Sequence, residues 1–184
     1  MDSEHFALFG TTIGACAILW GPAGVRGVML PEPDEARTRA RLLRRSPGAA
    51  EAEPPPQIRA AIDAMTALLA GEPADLSWIE LDMAGMDPFH RRACEAAREI
   101  APGRTVTYGQ LAARLGEPGA AQAVGQAMGR NPFPIIVPCH RVLAAGGRTG
   151  GFSAPGGART KLKMLEIEGA LAPEALPLFA AAGR

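Results

Sequence analysis

The sequence predicts an α/β front unit over residues 1–86, a mainly helical back unit with a helix-turn-helix over 87–170, and a tail over 171–184. Three observations predict it. Residues 5–30 read as short apolar strands separated by glycine and proline turns. Two stretches with apolar residues at helical spacing follow. Behind a linker at Ala84-Gly85-Met86, two short helical segments are joined by a tight glycine-containing turn. The chain has 184 residues, 47% hydrophobic and 21% charged, which excludes a wholly disordered protein.

The elements follow in order. Strands are expected at His5–Phe9, Ile13–Trp20 and Val25–Leu30, broken by Gly10 and by Gly21-Pro22-Ala23-Gly24. A charged amphipathic helix opens at Asp34 and runs to Arg45, followed by a Pro/Glu-rich loop from Pro47 to Pro56. Gln57 to Ala70 repeats at helical spacing and stops at Gly71, and Leu76–Leu81 alternates like a strand. The front order is therefore β-β-β-α-α-β. In the back unit, Asp87-Pro88 caps and opens a helix that runs to Ile100. Thr107 caps a second helix, Tyr108–Leu115, and a third spans Gly119–Gly129. The third is rich in Ala120, Ala121, Ala123, Gly125 and Ala127. Side chains that short suit either tight helix packing or close approach to a phosphate wall or shallow groove. A last helix surrounds Lys161–Glu168, and the Ala/Pro-rich tail is expected to fray.

Net charge is zero, but unevenly spread. Residues 1–86 hold 7 basic and 12 acidic side chains, a balance of −5; the remainder holds 12 and 7, or +5. Such asymmetry points to a polyanionic partner for the back half. Cys16, Cys94 and Cys139 are too few and too scattered for a disulfide framework or a CxxC zinc pair. Without a basic n-region or an 18-residue apolar run, the expectation is a reduced, cytoplasmic protein away from membranes.

The chemistry concentrates at Ile135-Ile136-Val137-Pro138-Cys139-His140-Arg141-Val142. A cysteine attacks as thiolate, which needs a base or a positive group nearby. In an extended segment, adjacent side chains point to opposite faces, so a bridging water is the easier link between Cys139 and His140. Glu166 and Glu168 are the downstream carboxylates that can orient the imidazole. On these residues alone, a structural cysteine beside a surface histidine is the competing reading.

The segment Asn131-Pro132-Phe133-Pro134 through Val142 resembles the active-site signature of the O(6)-alkylguanine-DNA alkyltransferases. Thr107-Tyr108-Gly109-Gln110-Leu111-Ala112 resembles that family's helix-turn-helix entry, and Gly119 to Gly125 its recognition helix. Gly150-Gly151-Phe152-Ser153 resembles the loop over its pocket, and Leu165–Gly169 its closing helix. The resemblance covers about residues 87–169. It implies a ribonuclease-H-like α/β front domain and a winged-helix-like back domain. It also implies repair of double-stranded DNA by irreversible transfer of the alkyl group from O(6)-alkylguanine to cysteine, one lesion per molecule, with O(4)-alkylthymine a further candidate. Cys139 is then the acceptor, His140 acts through water, and Glu168 completes the relay. Tyr108 meets the flipped guanine and neutralises charge as it leaves, and Asn131 holds the turn. Val142, Ser153, Phe152 and Pro134 meet the substrate, with backbone near Ser153 donating to the guanine oxygen. Gln122, Ala121, Ala123 and Arg130 meet DNA. Arg141 suits a structural ion pair. No cofactor is implied, and a monomer is expected.

Two features depart from the family pattern. Gln122 stands where the family usually inserts an arginine into the stack, which predicts weaker duplex binding or less efficient flipping. The loop Ser153–Gly157 is two residues longer, and Phe152 replaces a frequent tyrosine. His90 and Cys94 at i, i+4 give only two zinc ligands, so no metal is expected. The rival readings are a Cys–His–Glu hydrolase and a non-catalytic lesion-recognition protein.

Overall fold

The computed structural model describes residues 3–149, 152 and 154–170. Its front part is a four-stranded sheet in the order β3-β2-β1-β4. β1 (His5–Thr11), β2 (Gly14–Gly21) and β3 (Gly24–Met29) form an antiparallel meander, and the short β4 (Ala50–Glu51) pairs parallel with β1. Both faces of the sheet are covered, which is why β2 is a continuous apolar run rather than an alternating one. On one face Phe6, Ala17, Leu19 and Met29 pack under Leu42 of α1 (Glu35–Arg45). On the other, Cys16, Ile18 and Trp20 belong to the main core with Ile58, Ile62 and Met65 of α2 (Pro56–Leu69). Asp34 caps α1 by accepting from the Arg37 backbone at 2.8 Å.

Two expectations for the front part need correction. The Pro/Glu-rich stretch contains β4, which exists because Ala50 and Ala52 donate to the carbonyls of Glu4 and Phe6 at the sheet edge. Conversely, Leu76–Leu81 is not a strand. The Asp75 carboxylate accepts from the Ser77 backbone at 2.9 Å, and Trp78 Nε1 donates to the Asp75 carbonyl at 2.8 Å. That local turn outcompetes the ladder. Only a parallel bridge, Val25 with Leu81, survives beside β3. The approach is close: a Cβ on Gly24, whose φ is +118°, would lie 2.6 Å from the Glu80 carbonyl oxygen.

The back part packs α3 (Pro88–Arg98), α4 (Tyr108–Arg114) and α5 (Ala121–Gly129) together, with α6 (Ala158–Ile167) against the turn that follows α5. Thr107 and Gln110 form a reciprocal capping box on α4. β5 (Val106–Thr107) and β6 (Val142–Leu143) make a small parallel ladder that ties the start of α4 to the far end of the Cys-His segment. The architecture is thus an N-terminal sheet with a C-terminal helical part, and the main apolar core runs through both. Residues 171–184 and the expectation for them lie outside the described residues.

Candidate active site

The segment before Cys139 is not the extended run expected from its apolar composition. Asn131 clamps a turn instead: its Nδ2 donates to the Val137 carbonyl at 2.9 Å while its Oδ1 accepts from the Phe133 backbone at 2.9 Å. Val137 N–H donates to the Phe133 carbonyl, and Ile135 is driven to φ +76°, a left-handed conformation costly for a β-branched side chain. Cys139–Arg141 then form one 3-10 turn. The opposite-face argument for Cys139 and His140 therefore does not apply, because it presumed an extended backbone.

His140 is wholly buried, and its Nε2 lies 2.8 Å from Glu168 Oε1. Arg141, also buried, donates from Nε to Glu168 Oε2 at 2.9 Å and from a terminal nitrogen to Oε1 at 2.7 Å. A third bond from Arg141 to the Ile100 carbonyl fixes the fork to the end of α3. Burial alone would raise the Glu168 pKa, but hydrogen bonds and charge from Arg141 and His140 prevail and hold it at about 2. A carboxylate on Nε2 assigns the proton there and leaves Nδ1 as the basic nitrogen. Nδ1 is buried with no hydrogen-bond partner among the described residues. Burial lowers the His140 pKa despite Glu168, so the imidazole is neutral at pH 7. Of the two carboxylates foreseen on α6, Glu166 faces outward toward Lys163 at 3.5 Å.

Burial raises the Cys139 thiol pKa, opposed by Asn131, by the charge of Lys161 and by nearby backbone N–H groups. Lys161 was given no site role from the sequence. It is 1% exposed, its Nζ donates to the Val142 carbonyl at 2.7 Å, and it lies 5.8 Å over the rings of both Tyr108 and Phe152. Burial pushes its pKa down to about 8, with Cys139 opposing. A signal existed: Lys161, Met164, Leu165 and Glu168 share one helical face, and lysine is rare in this arginine-rich chain.

Cys139 opens on a cavity of about 60 Å³ that Asn131, Pro134, Met128 and Phe152 also line. Val142 is not on that wall; pairing with Val106 in the β5–β6 ladder buries it completely, and it supplies only its carbonyl to Lys161. Tyr108 stands at the start of α4, against α5, where a Cβ on Gly125 would come within 4.0 Å of its ring. Ser153 lies outside the described residues. On α5, Gln122 and, at its end, Arg130 are exposed, and Ala121 and Ala123 are partly so, whereas Ala127 is buried with Val124 and Met128 in the helix packing. A larger cavity of about 730 Å³ lies behind Arg141 and Glu168 at the seam with α2. Cys139 does not reach it, so the chemistry belongs to the smaller one. His90 and Cys94 sit on the buried face of α3, and no group of three potential metal-ligating side chains gathers among the described residues.

Comparisons with known proteins point to one family. Residues 88–170 match the family described as 6-O-methylguanine DNA methyltransferase, DNA binding domain. A methylated-DNA–protein-cysteine methyltransferase of Mycobacterium bovis is 45% identical over 119 residues, 65% of this chain and 70% of the relative. A protein of the same name from Methanothermobacter thermautotrophicus is 32% identical over 152 residues, 83% of this chain and 78% of its own. The Mycobacterium tuberculosis OGT, solved in complex with DNA, superposes with a TM-score of 0.72 at 34% identity, covering 95% of this chain and 99% of that one.

Proposed function

The chain belongs to the methylated-DNA–protein-cysteine methyltransferase family, and from that premise we propose that it repairs double-stranded DNA by moving the alkyl group of O(6)-alkylguanine onto Cys139. The thiol proton passes through water to His140 Nδ1, and Glu168 stabilises the imidazolium that forms. Thiolate sulfur attacks the alkyl carbon as the carbon–O(6) bond breaks, and its electron pair leaves with guanine. The Tyr108 hydroxyl donates a proton to that leaving anion. Lys161 favours the thiolate by its charge. The thioether is not hydrolysed, so each molecule acts once.

The observation that carries this reading is the Glu168-anchored His140 next to a thiol that opens on a small cavity. The target atom lies inside a stacked duplex, so the base must be extruded. We assign that task to α5, with Gln122, Ala121, Ala123 and Arg130 meeting DNA, and the substrate contacts to Pro134, Phe152 and Ser153; Val142, buried in the β5–β6 ladder, supports Lys161 instead. The finer fold reading is a ribonuclease-H-like front domain, residues 1–86, and a winged-helix-like back domain, 87–170. The order β3-β2-β1-β4 with parallel β4 supports the first, and the capped α4–α5 pair beside the β5–β6 ladder supports the second. No described helix is long and apolar enough to cross a membrane; we assign the protein to the cytoplasm, as a monomer.

Intact-mass measurement after incubation with a duplex containing O(6)-methylguanine tests the proposal. A gain of one methyl group, absent in Cys139→Ser, is expected. Repeated turnover with an unmodified thiol would identify a hydrolase, and an unchanged mass with unconsumed lesion a recognition protein.

A further inference from the structure

The cavity at Cys139 is not built by the back half alone. Besides Ala154 and Pro155 of the back half, the front half contributes to its wall: Val28 to Leu30 at and just after β3, and Arg41 and Arg45 on α1. The two halves are in register here, because the Val28 N–H donates to the Pro132 carbonyl at 2.9 Å within the turn that Asn131 clamps. The Arg45 guanidinium lies against β3 at this point: a Cβ on Gly27 would be in ordinary contact with it, 3.8 Å from Arg45 Cζ.

The arginines of α1 differ in how their charge is met. Arg37 pairs with Asp34, Arg39 with Glu51 and Glu35, and Arg41 with Glu32. Arg44 and Arg45 pair with no carboxylate among the described residues, and of the two only Arg45, which is exposed to solvent, lines the cavity, beside Arg41. A guanidinium in that position gains from an anion, and it binds a carboxylate through two parallel hydrogen bonds. The cavity of about 60 Å³ admits a substituent of a few heavy atoms, so a group carried on the carbon that sulfur attacks stays near the front-half wall.

We propose that Arg45 forms an anion subsite for the O(6) substituent, so that this protein accepts carboxyalkyl adducts of guanine through a residue of its front half. The proposal rests on the alkyl-transfer reading above. The chemistry is otherwise the same: the sulfur–carbon bond forms, the carbon–O(6) bond breaks, and the carboxylate is carried across unchanged.

The test compares single-turnover rates on duplexes bearing O(6)-carboxymethylguanine or O(6)-methylguanine, for the wild type, Arg45→Gln and Arg45→Lys. The ratio of carboxymethyl to methyl rate is expected to fall at least about tenfold in Arg45→Gln, as loss of a charge-assisted hydrogen bond requires, and to recover in part in Arg45→Lys. A ratio that stays within twofold overturns the subsite. That includes the case in which both rates drop together with a shallower salt dependence, which puts Arg45 on backbone phosphate. Wild-type transfer from neither duplex would overturn the family reading as well; methyl transfer with an unchanged ratio overturns the subsite alone.

Discussion

Replacing Glu168 by glutamine keeps the shape of the side chain and removes its charge. In the folded protein this carboxylate is 4% exposed and takes hydrogen bonds from His140 at 2.8 Å and from Arg141 at 2.9 and 2.7 Å. Its pKa is held at about 2 against an ordinary 4.5, a difference that converts to about 3 kcal/mol of stability at neutral pH. Loss of one partner from a buried ion pair independently costs about 3–5 kcal/mol, because Arg141 is left uncompensated. For a chain of this length, about 3 kcal/mol lowers Tm by roughly 6–12 °C. The sign with pH is set by the depressed value. The contribution is complete above the unfolded pKa and fades as pH falls through the folded one. At pH 3 it has shrunk to about 1 kcal/mol. Calorimetry of both proteins at pH 7 and pH 3 checks this. A Tm drop below about 2 °C at pH 7, or equal drops at both pH values, would refute the ion-pair account of this site.

Three further outcomes are expected. Burial lowers the His140 pKa below its ordinary 6.5; any loss of single-turnover rate on acidification from this base should therefore be centred below pH 6.5, and a decline centred at pH 7 or above would contradict the assignment. Gly24→Ala forces φ +118° on a residue with a Cβ and drives that atom against the Glu80 carbonyl; denaturant unfolding should show a loss of at least about 2 kcal/mol, and a neutral result would mean the bridge to Leu81 is not required. Gln122→Arg supplies a charge and a stacking plane to exposed α5; it should speed reaction with a methylated duplex, and no gain would remove the argument that Gln122 weakens base extrusion.

The parts of the fold legible in the sequence are those whose cause is local. The caps at Asp34, Asp87 and Thr107 accept from a backbone N–H three residues on, and all three helices begin where those residues stand. The three long strands and their glycine turns were equally readable. β4 and the β5–β6 ladder were not, because two-residue strands exist only through partners elsewhere in the chain. Leu76–Leu81 misled because its alternation competes with an aspartate turn that periodicity does not register. At the site, Cys139 and His140 announced themselves as a dipeptide, but the 3-10 turn that carries them depends on Asn131 reaching across to Val137.

By itself, the sequence determined the helix caps, the strand meander, the reactive thiol with its imidazole, and the family to which these motifs belong. Each is a property of residues adjacent in the chain or one helical turn apart. The residues by themselves left Glu166 and Glu168 open, and only the family resemblance chose between them. Tertiary structure put Glu168 on His140, and it alone decided that Lys161 is buried over Tyr108 and Phe152 and that Arg45 of the front half lines the cavity of a back-half cysteine. Those juxtapositions join groups 28, 53 and 94 positions apart. Neither propensity nor spacing carries information over such separations; the faces that elements bury against one another do.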